Sequence, residues 1–195
     1  MKKWLVPVGI IVVLLIMMFS SYNGLVSLQA DAQQSWADVQ SSYQRRMDLI
    51  ENLVETVKGA AQNEKDILVG VTEARSKATA TNINVDDIAS VTPEQMADFQ
   101  KAQAGMSSAL SRLLVSVERY PDIKSNQNFL ELQSQIEGTE NRINVARDRF
   151  NASATIYNKK VKSMPTVLYA GLLGFEKMTL FEADKEAQKA PKVKF

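Results

Sequence analysis

One helix-forming run, from Trp4 to about Ala80, constrains this chain more than any other feature. Its first part, Trp4 to Phe19, carries no charge. Ser20, Ser21 and Tyr22 extend the uncharged stretch to nearly the roughly 20 residues that span a bilayer. After it, no strong breaker is met until the Thr/Asn-rich segment around Thr79, Thr81 and Asn82. A chain that begins this way is expected to be an anchored helical stalk on which the remainder is built.

Lys2 and Lys3 give the start the basic flank of a secretory signal. The positions behind the apolar core fit cleavage poorly, because Met18 and Phe19 stand where small residues are wanted. Residues 1–22 are therefore expected to stay as a single-pass transmembrane anchor. The far flank has no Lys or Arg until Arg45, so the positive-inside rule puts the amino terminus inside. In a bacterium the bulk of the chain would then lie in the periplasm, tethered to the plasma membrane.

Composition narrows the chemistry. The 195 residues hold 23 Lys+Arg against 22 Asp+Glu, a net charge of +1 that gives no field for nucleic acid. There is no His and no Cys, which removes disulfides, thiol nucleophiles, imidazole acid/base catalysis and the usual zinc sites. No cofactor is expected. Few Gly and Pro (8 and 5) favour long helices over turns.

Past the anchor, Ala32, Trp36, Val39, Tyr43, Ile50, Val54, Val57 and Ala61 recur at heptad-like steps, with Met47 partly filling the widest gap. Trp36 and Tyr43 in such a stripe are far more often packing residues than an aromatic ligand box. Thr79–Val91 lacks helical periodicity and is expected to be the loop at the tip. Thr92, Pro93 and Gln95 then form a capping-box start. The second seam is Met96, Phe99, Gln103, Met106, Leu110, Leu113 and Val117. Tyr120-Pro121-Asp122 ends that helix, since proline pushes its predecessor out of helical geometry. Ser125 or Asn126 can cap the third helix, whose seam runs from Phe129 through Ile136, Ile143 and Phe150 to Val161 before Pro165. The fold expected is all-α: the anchor (1–22), a long antiparallel three-helix bundle (23–165), and an apolar segment with an irregular tail (166–195). That segment, Thr166 to Phe175, is too short to span a bilayer. It is expected to pack on the bundle or a neighbouring subunit, membrane-surface contact being the minority alternative.

Helix lengths raise a problem. At 1.5 Å per residue, Asn23–Ala80 would extend about 87 Å and the second helix, Pro93–Tyr120, about 42 Å. Folding back from the tip, the second helix reaches only to around Glu51. Leu25, Leu28, Ala32, Trp36, Val39 and Tyr43 then lack a partner in their own chain. Large side chains left in water cost roughly 1.5–3 kcal/mol each, so this stripe is expected to be a homo-oligomer interface. A break near Ala30 that folds the stripe back is the competing explanation.

Several strings carry a family resemblance: Tyr22–Val26, Arg45–Gly59, Val71–Arg75, Tyr120–Asn126, Thr139–Ile143, and the ending Pro191–Phe195. In these the chain resembles the LemA family of bacterial membrane-anchored helical proteins, over nearly its whole length. Glu51 departs from the pattern, in which proline is common, and this favours an uninterrupted first helix. The resemblance implies a three-helix bundle behind one membrane anchor and supplies no reaction. It makes a membrane protease or another envelope protein a reasonable partner, by analogy.

Two places could carry a site. Arg45, Arg46, Asp48, Glu51, Asn52 and Glu55 lie on neighbouring turns, and Glu140, Asn141 and Arg142 should pass nearby. Interhelical salt bridges and hydrogen bonds are the expected use; a ligand or ion site is the alternative. The turn carrying Tyr120, Asp122, Lys124, Asn126 and Asn128 is a better recognition candidate, because loops present side chains freely. The leading expectation is a non-enzymatic anchored scaffold or adaptor, in contact with membrane lipid and its own copies. An envelope sensor or a protease accessory subunit is the alternative, and a metal-dependent hydrolase the remote one.

Overall fold

Apolar residues at alternating three- and four-residue steps carry α1 unbroken from Leu5 to Lys58, about 80 Å of helix. The computed structural model describes residues 5–58 and 64–182; the side chains of residues 5, 6, 10, 11, 14 and 15 also lie outside the description. Every regular element among the described residues is helical.

The first helix does not run on to Ala80. Its described span is Leu5–Lys58, and residues further on form a separate helix, α2 (Lys65–Ala80). The sequence carries the stop signal: a basic residue in the last turn, then Gly59, the residue type most enriched just past helix ends. Ala61, the last seam position expected of helix one, lies outside the described residues.

Contacts fix the path. Arg75 of α2 reaches Glu51 at 2.6 Å, and Gln40 reaches Asn82 and the Ile83 carbonyl. Higher numbers on α2 thus meet lower numbers on α1, so the two are antiparallel. The next helix, α3 (Pro93–Val117), turns again: Phe99 lies against Trp36 and Tyr43, and Gln103 against Arg46. After the short α4 (Pro121–Lys124), α5 (Gln127–Lys162) returns along α1, with Glu140 on Arg46, Ser153 on Ser35, and Thr166 beyond its end on Ser21. The lower half is therefore a four-helix up-down-up-down bundle, not the expected three-helix one. Its tip is the α1–α2 connection and the α3–α5 turn, where Glu64 accepts from Arg119 and Tyr120. The loop expected at the tip as Thr79–Val91, found between α2 and α3, sits instead beside Trp36 and Gln40, well back along α1.

Above that loop, among the described residues, α1 and α5 are the helices that continue. Their inner faces are covered by Ile83, Ile88 and Val91 of the loop, and by Ala170, Phe175, Met178 and Phe181 of a segment that folds back after α5. That segment starts with 3-10 turns at Thr166–Leu168 and Gly171–Leu173. Gly174 then takes a left-handed conformation (φ 80°), open to glycine at no steric cost, and the chain runs on without regular secondary structure to residue 182.

The packing overturns the length argument. Leu25, Ala32, Trp36, Val39 and Tyr43 are buried within their own chain, and Leu28 is half-buried against the same cluster. Their partners are α5, the loop and the returning segment, none of which a helix-length sum can count. Nor does helix one break near Ala30. The stripe is core, so an interface between copies would have to use another face.

Among the described residues no helix is long and apolar enough to cross a membrane. The expected span, residues 1–22, falls partly outside them: residues 1–4, and the side chains named above. The lysine-bearing tail beyond Glu182 lies outside them as well.

Candidate functional site

Two constructions organise the side chains. The first is a polar node at Arg46, where the apolar cores of the upper and lower halves meet. A guanidinium on the core face of α1 must satisfy a rigid fork of donors. Nη1 donates to Glu140 Oε1 of α5 at 2.8 Å and to Ser107 Oγ of α3 at 3.2 Å, and Nη2 donates to Gln103 Oε1 at 2.5 Å. Nε has no partner among the described residues. Tyr43 lies against the guanidinium, ring centroid 5.0 Å away. Burial raises the Tyr43 hydroxyl above its ordinary pKa, while Arg147 and Arg46 pull the other way. This node ties three helices at one level, which fixes their register.

The expected interhelical use of the polar strings is thus seen for Arg46–Glu140, and also for Arg45 with Gln135 and Glu51 with Arg75. Asp48 and Glu55 instead pair within α1, to Gln44 and Lys58. Asn52, Asn141 and Arg142 are exposed. Among the described residues no three carboxylates gather where they could hold a metal ion.

The second construction was not anticipated. Asn151 and Asn158, two turns apart on α5, each grip the backbone of the returning segment with both ends of the amide. Asn158 donates to the Met178 carbonyl and accepts from its N–H, each at 2.9 Å. Asn151 does the same for Phe181, at 3.1 and 2.9 Å. Seven helical residues rise about 10 Å, close to the span of three residues of extended chain. The Asn spacing thus matches that of the residues they hold. Thr179 Oγ1 adds a bond to the Val91 carbonyl.

The clamped segment lowers Phe181 into a chamber of aromatic rings. It stacks on Trp36 at 5.6 Å and meets Phe150 edge-on at 5.8 Å, while Arg147 lies over its outer side at 4.6 Å. Phe99 and Phe150 close on the other parts of Trp36, whose indole N–H donates to the Ile83 carbonyl at 2.9 Å. Chemically this is a receptor for extended peptide backbone with an aromatic anchor, occupied by the chain's own segment. Its trace in sequence is a pair of asparagines seven residues apart and, further on, Phe175, Met178 and Phe181 at three-residue steps.

The recognition turn divides by role. Asn126 is a helix cap: its Oδ1 accepts from the N–H groups of Asn128 and Phe129 at 2.9 and 3.3 Å. Tyr120 is half-buried with its hydroxyl on Glu64 at 3.1 Å, and Ile123 is buried beneath. Asp122, Lys124 and Asn128 remain exposed at the tip.

Comparison with known proteins finds sequence relatives over most of the chain. The LemA family model matches residues 35–195. Magnetosome protein MamQ of Magnetospirillum gryphiswaldense is 27% identical over 185 residues, covering 87% of this chain and 67% of that protein. Magnetosome protein MamQ 2 of Paramagnetospirillum magneticum is 26% identical over the same shares. Protein LemA of Metamycoplasma hominis is 25% identical over 163 residues, 84% of this chain and 69% of the relative.

Proposed function

This chain belongs to the LemA family, and from that premise we propose that it is a membrane-anchored helical scaffold or adaptor of the bacterial envelope, acting by contact and not by catalysis. One observation carries the reading. Exposed apolar surface gathers at the start of α1, where Val12, Val13, Ile16 and Phe19 face outward, in the uncharged run Trp4–Tyr22. Exposed apolar patches of this kind mark contact with lipid or protein. Below it stands a closed bundle whose buried cation is tied between helices, leaving the tip with Asp122, Lys124 and Asn128 free to meet a partner.

Lys2 and Lys3 support an amino terminus inside and the bundle outside. The relatives' names state no reaction, which is in keeping with a non-enzymatic role. Self-association is no longer supported by the Leu25–Tyr43 stripe, which is covered within the chain.

Liposome flotation of the full-length chain tests the anchor. The wild type should float, and a Val12→Lys, Ile16→Lys double variant should not; a wild type left in the aqueous fraction refutes the reading. In cells, Glu55→Gln and Glu140→Gln should leave the gene's deletion phenotype complemented. Loss of complementation by a correctly folded amide variant would point to catalysis instead.

A further inference from the structure

We propose that Met164–Leu173 is a second membrane contact, an apolar shelf lying at the boundary between headgroups and acyl chains where α1 leaves the bilayer. This rests on the anchored reading above, and deepens it by assigning lipid contact to a part of the chain far from the anchor in sequence.

Height is set by the inner side of the shelf. Thr166 and Ala170 are buried against the bundle; Thr166 Oγ1 lies 2.9 Å from Ser21 Oγ, and Phe175 meets Tyr22 edge-on at 5.4 Å. The shelf therefore sits level with Ser20–Tyr22, where the uncharged run ends. Its outer side is apolar and bare: Leu172 is 89% exposed, Met164 73% and Leu168 68%. Val167 and Leu173 are also exposed. A shallow groove lined by Ile16, Met17, Ser20, Ser21, Lys160 and Pro165 joins this surface to the exposed face of α1, and Lys160 is the charged side chain in its lining. Elsewhere, exposed large apolar residues such as Val69, Val115 and Leu130 sit on different helices, as on any soluble surface.

Two further features favour lipid over a protein partner as the cover. Backbone at a lipid surface must satisfy its own polar groups, and here the N–H groups of residues 167–170 and 173–175 all bond to carbonyls between Ser163 and Gly171. Lys159, Lys160 and Lys162 stand in the last turn of α5 directly before the shelf, where ammonium groups can meet headgroup phosphates. Glu176 and Lys177, next along, cancel in charge.

The absence of cysteine makes the test clean. Full-length Leu172→Cys and Leu168→Cys, with Val115→Cys on α3 as the aqueous control, are labelled with an environment-sensitive fluorophore. Each is reconstituted in vesicles of phosphatidylcholine and phosphatidylglycerol, with or without lipid carrying a nitroxide near the headgroup. The expected result is blue-shifted emission at 172 and 168 that the nitroxide lipid quenches, with neither effect at 115. Water-like emission at 172 in protein that co-floats with vesicles overturns the shelf and spares the anchor. Blue-shifted emission that nitroxide lipid does not quench means protein covers the segment, and also overturns it. Failure to co-float at all defeats the anchored reading and the shelf with it.

Discussion

Arg46 on α1 and Glu140 on α5 meet at 2.8 Å from opposite environments: the guanidinium side chain is 3% exposed, the carboxylate 40%. Removing either one has a different consequence. Glu140→Ala leaves a buried cation with only neutral partners, Gln103 and Ser107, and should cost about 2 kcal/mol. Arg46→Met removes the cation and lets the carboxylate turn to water, so its cost should be smaller, about 1 kcal/mol. Chemical denaturation in mild detergent reads the order of the two midpoints; the reverse order would show that Glu140 does not compensate the buried charge.

Asn151 and Asn158 hold the segment at Phe181 and Met178 through paired amide bonds. Asn158→Leu should destabilise the returning segment by about 1–2 kcal/mol, the worth of two hydrogen bonds lost with one side chain. Amide hydrogen exchange is the direct measurement: protection at Met178 should fall first, while the amides of α3 keep theirs. Uniform loss along the helices would mean the segment does not open as a unit.

Asn126 serves the helix, and its neighbours serve the surface. Asn126→Ala should cost about 1 kcal/mol, as loss of an N-cap usually does. Lys124→Ala and Asn128→Ala should stay within about 0.5 kcal/mol. If a partner docks at the tip, only the second pair should weaken its capture without moving the melting temperature.

Burial lifts the Tyr157 hydroxyl above its ordinary pKa of 10.0, and the charge of Glu176 adds to the lift. The unfolded chain releases this proton near the ordinary value; the folded chain releases it later. Above that value the unfolded state holds fewer protons, so this contribution to stability is complete below it and is lost as pH climbs toward the folded value. Tyr157→Phe should flatten the alkaline fall in melting temperature. At neutral pH it should change stability by under about 0.5 kcal/mol, since the hydroxyl has no hydrogen-bond partner among the described residues.

Local chemistry was legible in the sequence where the cause is local. Thr92 Oγ1 accepts from the Gln95 N–H at 3.2 Å and Gln95 Oε1 from the Thr92 N–H at 2.9 Å, the reciprocal capping the residue types dictate. Asn126 caps α5 for the same reason. The seams from Met96 to Val117 and from Phe129 to Val161 are buried at almost every position expected.

Two features escaped because their causes are distant or ambiguous. The apolar period of α1 continues through Ile50, Val54 and Val57 toward Ala61, and periodicity reads the same whether a helix goes on or turns back; Gly59 is a stop signal that a reading by period does not use. The cover over Trp36 comes from Phe181, in a stretch with no helical period of its own. Asn151 and Asn158 resemble ordinary surface polar residues until the backbone they hold is in place. A stripe whose partner lies at the other end of the chain looks, to any local rule, like a stripe with none.

That long return has a consequence for how the protein is made. Ser21 and Thr166, in contact at 2.9 Å, are 145 residues apart, so the membrane-proximal half cannot close while the ribosome is still building α5. Until Phe181 emerges, the Trp36 chamber stands open. Closure of such distant ends is slow relative to helix formation, and half-made chains expose surface that chaperones and proteases recognise. The last described residues thus act as a completion mark: a chain cut short after Lys162 should form its helices and still be read by the cell as unfinished.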